Sequence, residues 1–155
     1  MLISTRGRYA IRVIIDLAQN SNGNFIPMKD VAKRQEISLK YLEKILPILT
    51  KHKIVEGVHG KGGGYKLGKN INKYKVIDIL KLTEGDLAPV TCLKKGEHCK
   101  RKSHCKTVFM WNKFYDIINK FFGSITIDDL LNDNKNFDLF TNIQSVPSSL
   151  RSTLR

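Results

Sequence analysis

The chain is 155 residues long, carries a net charge of +13 and contains three cysteines, all between Thr91 and Lys106. That length suits one domain with a real core, or a small domain plus an added helix. No apolar run approaches a membrane span and the first residues lack a signal peptide's apolar region, so a cytoplasmic protein without a membrane partner is expected, in which an odd number of thiols points to metal binding or redox sensing rather than disulfides.

The positive charge is uneven. Residues 1–80 hold fifteen Lys/Arg against six Asp/Glu, residues 92–106 hold six against one, and residues 107–155 are balanced at five against five. A basic first half suits a polyanion such as nucleic acid, although a solvated charged surface gives the same count, so the pattern has to decide.

In chain order, Thr5–Gln19 predicts a helix with Tyr9, Val13 and Leu17 on one stripe and Ala10 and Ile14 beside it. Asn20–Asn24 supplies a turn, and Pro27 suits the first turn of a short helix over Met28–Arg34. Ser38 then reads as the N-cap of a third helix reaching about His52. Its Leu39, Leu42, Leu46 and Leu49 predict one buried stripe, and Pro47 predicts a kink or loosening near residues 43–47.

Two short helices joined by a tight turn, with basic groups on the second, match a helix-turn-helix. The strand-like runs Ile54–Val58 and Gly64–Leu67 flank a glycine-rich turn, which predicts a hairpin. No phosphate loop or dinucleotide fold is read there, because strand pattern follows the glycines. Helix-turn-helix followed by hairpin is a winged helix. The fold class expected is mainly α with a small β-hairpin wing and a long C-terminal dimerisation helix.

Val76–Leu82 predicts a further helix, closing a DNA-binding domain over residues 1–83. Residues 84–106 read as a linker and cysteine loop. Beyond it, His104–Phe122 predicts a long helix with two apolar stripes, Met110, Phe114, Ile117 and Phe121 on one and Val108, Trp111, Tyr115, Ile118 and Phe122 on the other. One stripe can pack on the chain's own domain and the second needs a partner, which points to a homodimer built on this helix. Gly123 is read as its end, with a short cover helix over 126–132. Residues 107–132 thus form a dimerisation unit, and residues 133–155 are weakly patterned and expected to be disordered.

The cysteines are spaced Cys-x6-Cys-x5-Cys as Cys92, Cys99 and Cys105, looser than the tight pairs of a zinc ribbon. Surrounding Lys94, Lys95, Lys100, Arg101, Lys102 and Lys106 favour the thiolate form and offset a cluster's negative charge. On spacing an iron–sulfur cluster leads, with zinc and reactive or inert thiols as alternatives. The fourth ligand is open: His98, His104, or a residue from elsewhere in the chain or a second subunit. No Ser/His/Asp set, paired carboxylates or complete nucleotide loop is present, so neither an enzyme nor a small-molecule substrate is expected.

The runs Ile3–Ala10, Ile37–Lys44 and Gly60–Gly68, with their order and spacing over residues 1–132, resemble the Rrf2 family of bacterial transcription regulators. The resemblance implies winged-helix domains in a homodimer with a long crossing helix, bound to double-stranded DNA. It implies that Cys92, Cys99 and Cys105 match the three cluster cysteines of the cluster-binding branches, which another branch lacks. The cluster would be 2Fe–2S or 4Fe–4S and would report iron–sulfur status, redox or nitric oxide. Glu43 falls where a recognition-helix glutamate helps discriminate bases, and the wing where it enters the minor groove. Candidate DNA contacts are Ser38, Lys40, Tyr41, Glu43 and Lys44 on the recognition helix, His59, Gly60 and Lys61 on the wing, and Arg6 and Arg8. Two departures bear on these roles: Val108 stands where cluster-binding members carry a histidine, and His59 where an arginine is frequent. A regulatory adaptor acting through protein contacts is the alternative of a different class.

Overall fold

The structure, a computed structural model, describes residues 3–132 apart from Lys69; the disorder expected of residues 133–155 lies outside the described residues. The elements run α1 (Thr5–Asn20), α2 (Met28–Gln35), α3 (Leu39–Lys51), β1 (Val55–Val58), β2 (Gly64–Leu67), α4 (Val76–Glu84), α5 (Val108–Ser124) and α6 (Ile127–Leu131). Single 3-10 turns occupy Ile71–Lys73, Thr91–Leu93 and Lys102–His104. This is the winged-helix architecture expected from the sequence.

Ser4 starts α1 by accepting a hydrogen bond from the Gly7 amide at 3.3 Å, while its own hydroxyl donates to Glu84 Oε1 at 2.7 Å. The helix is central to the first core: Ala10, Val13, Ile14 and Leu17 are fully buried against Val31 of α2 and Leu42, Ile45, Leu46 and Leu49 of α3. Glu36, left-handed at φ 53°, turns the chain from α2 into α3. Ser38 caps α3, its side chain accepting from the Tyr41 amide at 3.2 Å. Pro27 stands just outside α2, at its N-cap with extended ψ, rather than within the first turn.

Two readings of α3 change. Leu39 is 44 % exposed, and Ile45 completes the buried stripe in its place. The helix also continues through Pro47 without a break in its assignment. Pro47 is exposed, so the Glu43 carbonyl that loses its helical donor faces solvent rather than core.

The wing pairs β1 with β2 antiparallel, from Val55 opposite Leu67 to Val58 opposite Gly64. A third segment joins it on the other side of β2: Ile26 and Tyr65 exchange both backbone hydrogen bonds, at 2.9 and 2.8 Å. Gly64 permits that approach, since a Cβ there would stand 2.2 Å from the Ile26 carbonyl oxygen. Lys66 crosses to Glu56 at 3.6 Å and lies over the Phe25 ring at 4.8 Å, so it stiffens the wing as well as charging it.

A second core sits between α4 and α5, from Val76, Ile77, Leu80, Leu87, Ile118 and Ile125. After α5 the chain returns to residues 74–76: the Val76 amide donates to Ile125 at 2.9 Å and the Ile127 amide to Tyr74 at 3.0 Å. Thr126 and Asp129 then form a reciprocal capping box on α6. The long helix starts at Val108 rather than His104, because Cys105 is extended (φ −79°, ψ 110°), and it runs through Gly123 to Ser124. Its stripes separate in part. Ile118 is buried, with Tyr115 and Phe122 packed beside it, while Met110, Phe114 and Ile117 are exposed. Phe121 of the exposed stripe also joins the second core, and Phe109, outside both stripes, is 70 % exposed.

Candidate nucleic-acid interface and cysteine loop

The first turns of α3 and the wing face each other across an open groove of about 560 Å³. Leu39, Glu43 and Pro47 line it from α3, and Val58, His59 and Gly60 from the wing. Three sequence candidates, Glu43, His59 and Gly60, therefore meet in one place. Ser38, Lys40 and Lys44 on α3 and Lys61 on the wing are exposed on the same two elements. Gly60 (φ +102°) and Gly62 (φ +78°) shape the wing tip in backbone conformations that side chains resist. Two of its apolar liners, Leu39 and Val58, are exposed and were not anticipated as part of the surface.

Tyr41 is only half available, because its ring packs edge-on against Tyr9 of α1 at 5.2 Å between centroids. Arg12 stands over the Tyr9 ring at 5.2 Å and donates from its Nε to Gln35 Oε1 at 3.1 Å and from Nη2 to the Gln35 carbonyl. Arg6 and Arg8 lie exposed on the first turn of α1, with Arg8 donating to the Thr5 hydroxyl at 3.2 Å. They stand outside the groove. Behind this surface Asp16, 1 % exposed, accepts both arms of Arg34 at 2.9 and 2.6 Å and the Gln35 amide at 3.0 Å. Those bonds raise the Arg34 pKa above its ordinary value, chiefly through the side-chain hydrogen bond, and they lock α2 to α1. Apolar periodicity gives no sign of such a group; an acid inside a buried stripe is the signal that was available.

The cysteine loop leaves α4 through Gly85 (φ +78°) and is tied down by Asp86. That carboxylate accepts the Tyr115 hydroxyl at 2.7 Å and the Ala88 amide at 2.8 Å on Oδ1, and the Lys95 amide at 3.2 Å on Oδ2. Burial pushes its pKa up, but the Tyr115 hydroxyl, the two amides and the charge of Lys94 together hold it below the ordinary carboxylate value. The same bond raises the Tyr115 hydroxyl's pKa.

Cys92, Cys99 and Cys105 are free thiols, each half-buried. Cys105 Sγ lies 3.4 Å from the Thr107 hydroxyl, and that contact, the Thr107 and Val108 amides and the Arg101 charge lower its pKa. His98 is exposed, and His104 is paired with Ser103 at 2.9 Å. Among the described residues no three His, Cys, Asp or Glu side chains are gathered closely enough to hold a metal ion.

Residues 3–133 match the Rrf2 family model, described as an iron-dependent transcriptional regulator. The chain belongs to the Rrf2 family. It is 35 % identical over 135 residues to the HTH-type transcriptional regulator IscR of Pectobacterium atrosepticum, covering 87 % of this chain and 82 % of that one. Among solved structures, CymR, the global cysteine regulator of B. subtilis, is similar at 29 % identity and a TM-score of 0.69, over 86 % of this chain and 98 % of that one. T. potens IscR is similar at 30 % identity and 0.66, over 97 % and 96 %. The Rrf2 chain is thus a DNA-binding transcriptional regulator and not an enzyme. No helix among its described residues is long and apolar enough to cross a membrane.

Proposed function

We propose that this Rrf2 chain is a cytoplasmic, nucleoid-associated homodimer that binds double-stranded DNA through α3 and the wing and adjusts that binding through an iron–sulfur cluster on Cys92, Cys99 and Cys105. The DNA reading rests on the groove where Glu43, His59 and Gly60 meet. In this reading the Glu43 carboxylate, which lines the groove beside the apolar Leu39, accepts from cytosine N4 in the major groove, with Lys40, Tyr41 and Lys44 alongside. Ser38, His59, Gly60, Lys61, Arg6 and Arg8 supply wing and phosphate contacts. The chain divides into a DNA-binding unit at 1–83, a cysteine loop at 84–106 and a dimerisation unit at 107–132, with the exposed Met110, Phe114 and Ile117 face of α5 covered by a second copy.

The donor chemistry fits a cluster: three free thiols in one loop rich in cations, with Cys105 already biased toward thiolate. When bound, the cluster supplies an electron- and ligand-sensitive centre reporting iron–sulfur status, redox or nitric oxide. Cys92, Cys99 and Cys105 would hold it, and Asp86 keeps the loop's base against α5. A second reading makes these cysteines a cluster-free zinc or thiol site, and the lowered pKa of Cys105, 3.4 Å from the Thr107 hydroxyl, suits its reactive-thiol form. Anaerobic purification with visible absorption and iron and sulfide analysis separates the two. Colour with stoichiometric iron and sulfide is expected, and colourless protein carrying zinc eliminates the cluster. DNA affinity is expected to fall roughly 10³–10⁵-fold from 50 to 200 mM salt for six to ten phosphate contacts, and salt-independent binding refutes the DNA surface.

A further inference from the structure

The cysteine loop carries more charge than three thiols need. Lys94, Lys95, Lys100, Arg101, Lys102 and Lys106 are all exposed, and Glu97 is the one acid among residues 92–106. None of the six closes an ion pair among the described residues. Holding like charges together in one loop costs self-repulsion that a polyanion would relieve.

Contacts connect this loop to the recognition helix. Asp86 binds the Lys95 amide at 3.2 Å, and two residues earlier Glu84 meets Ser4 at 2.7 Å. Gly7 touches the same carboxylate: a Cβ there would stand 2.4 Å from Glu84 Oε1. Gly7 is flanked by exposed Arg6 and Arg8, and Tyr9 follows, packed on Tyr41 of α3. From Tyr9 to the Lys95 amide this path is at most roughly 30 Å, given helix rise and chain reach. That is less than one turn of B-DNA, about 34 Å. Exposed Arg8 lies on the α1 part of the path, with exposed Arg6 and Arg12 beyond its two ends on the same helix.

We propose that the cysteine loop is an auxiliary DNA-contact surface whose cations engage backbone phosphates flanking the half-site read by α3. The inference rests on the placement of α3 and the wing on DNA given above. It assigns these cations a second role besides favouring thiolates: the loop's conformation sets where a block of positive charge meets the duplex. Phosphate contacts of this kind position the protein and add affinity without reading sequence.

The test uses the full chain and a duplex selected by it from a random-sequence library. Affinity is measured from 50 to 200 mM salt for the wild type and for a variant carrying Lys94→Gln, Lys95→Gln, Lys100→Gln, Arg101→Gln, Lys102→Gln and Lys106→Gln. A Lys81→Gln, Lys120→Gln variant, changed away from both surfaces, is the control. If each subunit of a dimer loses one or two phosphate contacts, the slope of log affinity against log salt should shrink by about 1.8 to 3.6, making the variant roughly 12- to 150-fold less salt-sensitive over that range. Its ranking of duplex sequences should be unchanged, as should the slope of the control. A wild-type gain from lengthening the duplex by one turn should disappear in the variant.

An unchanged slope in a variant that melts like the wild type overturns the inference. So does an unchanged slope accompanied by lost binding to phosphatidylserine vesicles, which would make the loop a membrane contact. If the six-site variant does not fold, the Lys94→Gln, Lys95→Gln pair should still lower the slope, and its failure to do so is equally decisive. A wild type that selects no duplex refutes the DNA placement itself, a result distinct from an unaltered slope.

Discussion

Replacing Asp86 with asparagine tests how firmly the cysteine loop is held. The carboxylate accepts three hydrogen bonds, from Tyr115, Ala88 and Lys95. Bonds to an ionised group contribute about 1.5–3 kcal/mol each when sheltered, and less where solvent reaches them, as it does at half-buried Asp86. Asparagine keeps one oxygen acceptor but places an amide against the remaining donors. The net cost should be about 2 kcal/mol, equivalent to roughly 4–8 °C in Tm for a chain of this size. Tyr115→Phe removes one of the three bonds and should cost about 1 kcal/mol. In the double variant the two losses should overlap by about 1 kcal/mol, because they share one contact. Urea unfolding at fixed protein concentration measures the cycle, and labelling of Cys92 and Cys99 by a thiol reagent should accelerate in either variant. Additive losses with unchanged labelling would show that Asp86 does not tether the loop.

The same carboxylate gives a pH dependence. Its folded pKa is depressed, so its stabilisation is fully present above the unfolded value of about 3.9 and is lost as pH falls through the folded value. The difference between wild type and Asp86→Asn should therefore be constant from pH 5 to 7 and shrink below about pH 4 in urea melts. At Asp16, Arg34→Met should destabilise more than Asp16→Ala, about 3 against 2 kcal/mol, since the former strands a buried carboxylate and the latter frees an arginine that can reach solvent; thermal melts give the order. Glu43→Gln should relax preference at one base pair by about 1–3 kcal/mol in competition binding, with a smaller change in affinity for the best site.

The helices of the first domain were legible because apolar spacing and caps agree: Ser38 is both the expected and the observed cap of α3. Leu39 misled because it continues the stripe in sequence, yet it sits at the first residue of α3, where it lines the open groove instead of the core. The start of α5 was misplaced for a related reason. Residues 104–107 have no strong breaker, and the extended backbone at Cys105 is set by the loop's own path. The exposure of Lys40, Glu43 and Lys61 was legible, because each charge follows a cap or a glycine turn. What stayed hidden was contact between distant segments: the Ile26–Tyr65 rung, the Asp16–Arg34 lock and the Asp86 tether join residues whose pairing no local pattern records.

The two ends of α5 are held unequally. Its last turns are built into the domain by Ile118, Phe121 and Phe122 and by the backbone return at residues 125–127, and Tyr115 is pinned through Asp86. Ahead of Tyr115, Phe109, Met110, Asn112, Lys113 and Phe114 are all exposed. Mechanically the helix is a cantilever, with roughly 10 Å of overhang before its first firm support. Cys105 is joined to the free tip. Any pull exerted by the loop acts at the longest lever arm available, so bending or fraying is concentrated in the first two turns while the core built on α1 stays anchored. The least supported part of the helix and the most exposed large apolar side chain among the described residues, Phe109, are thus the same place.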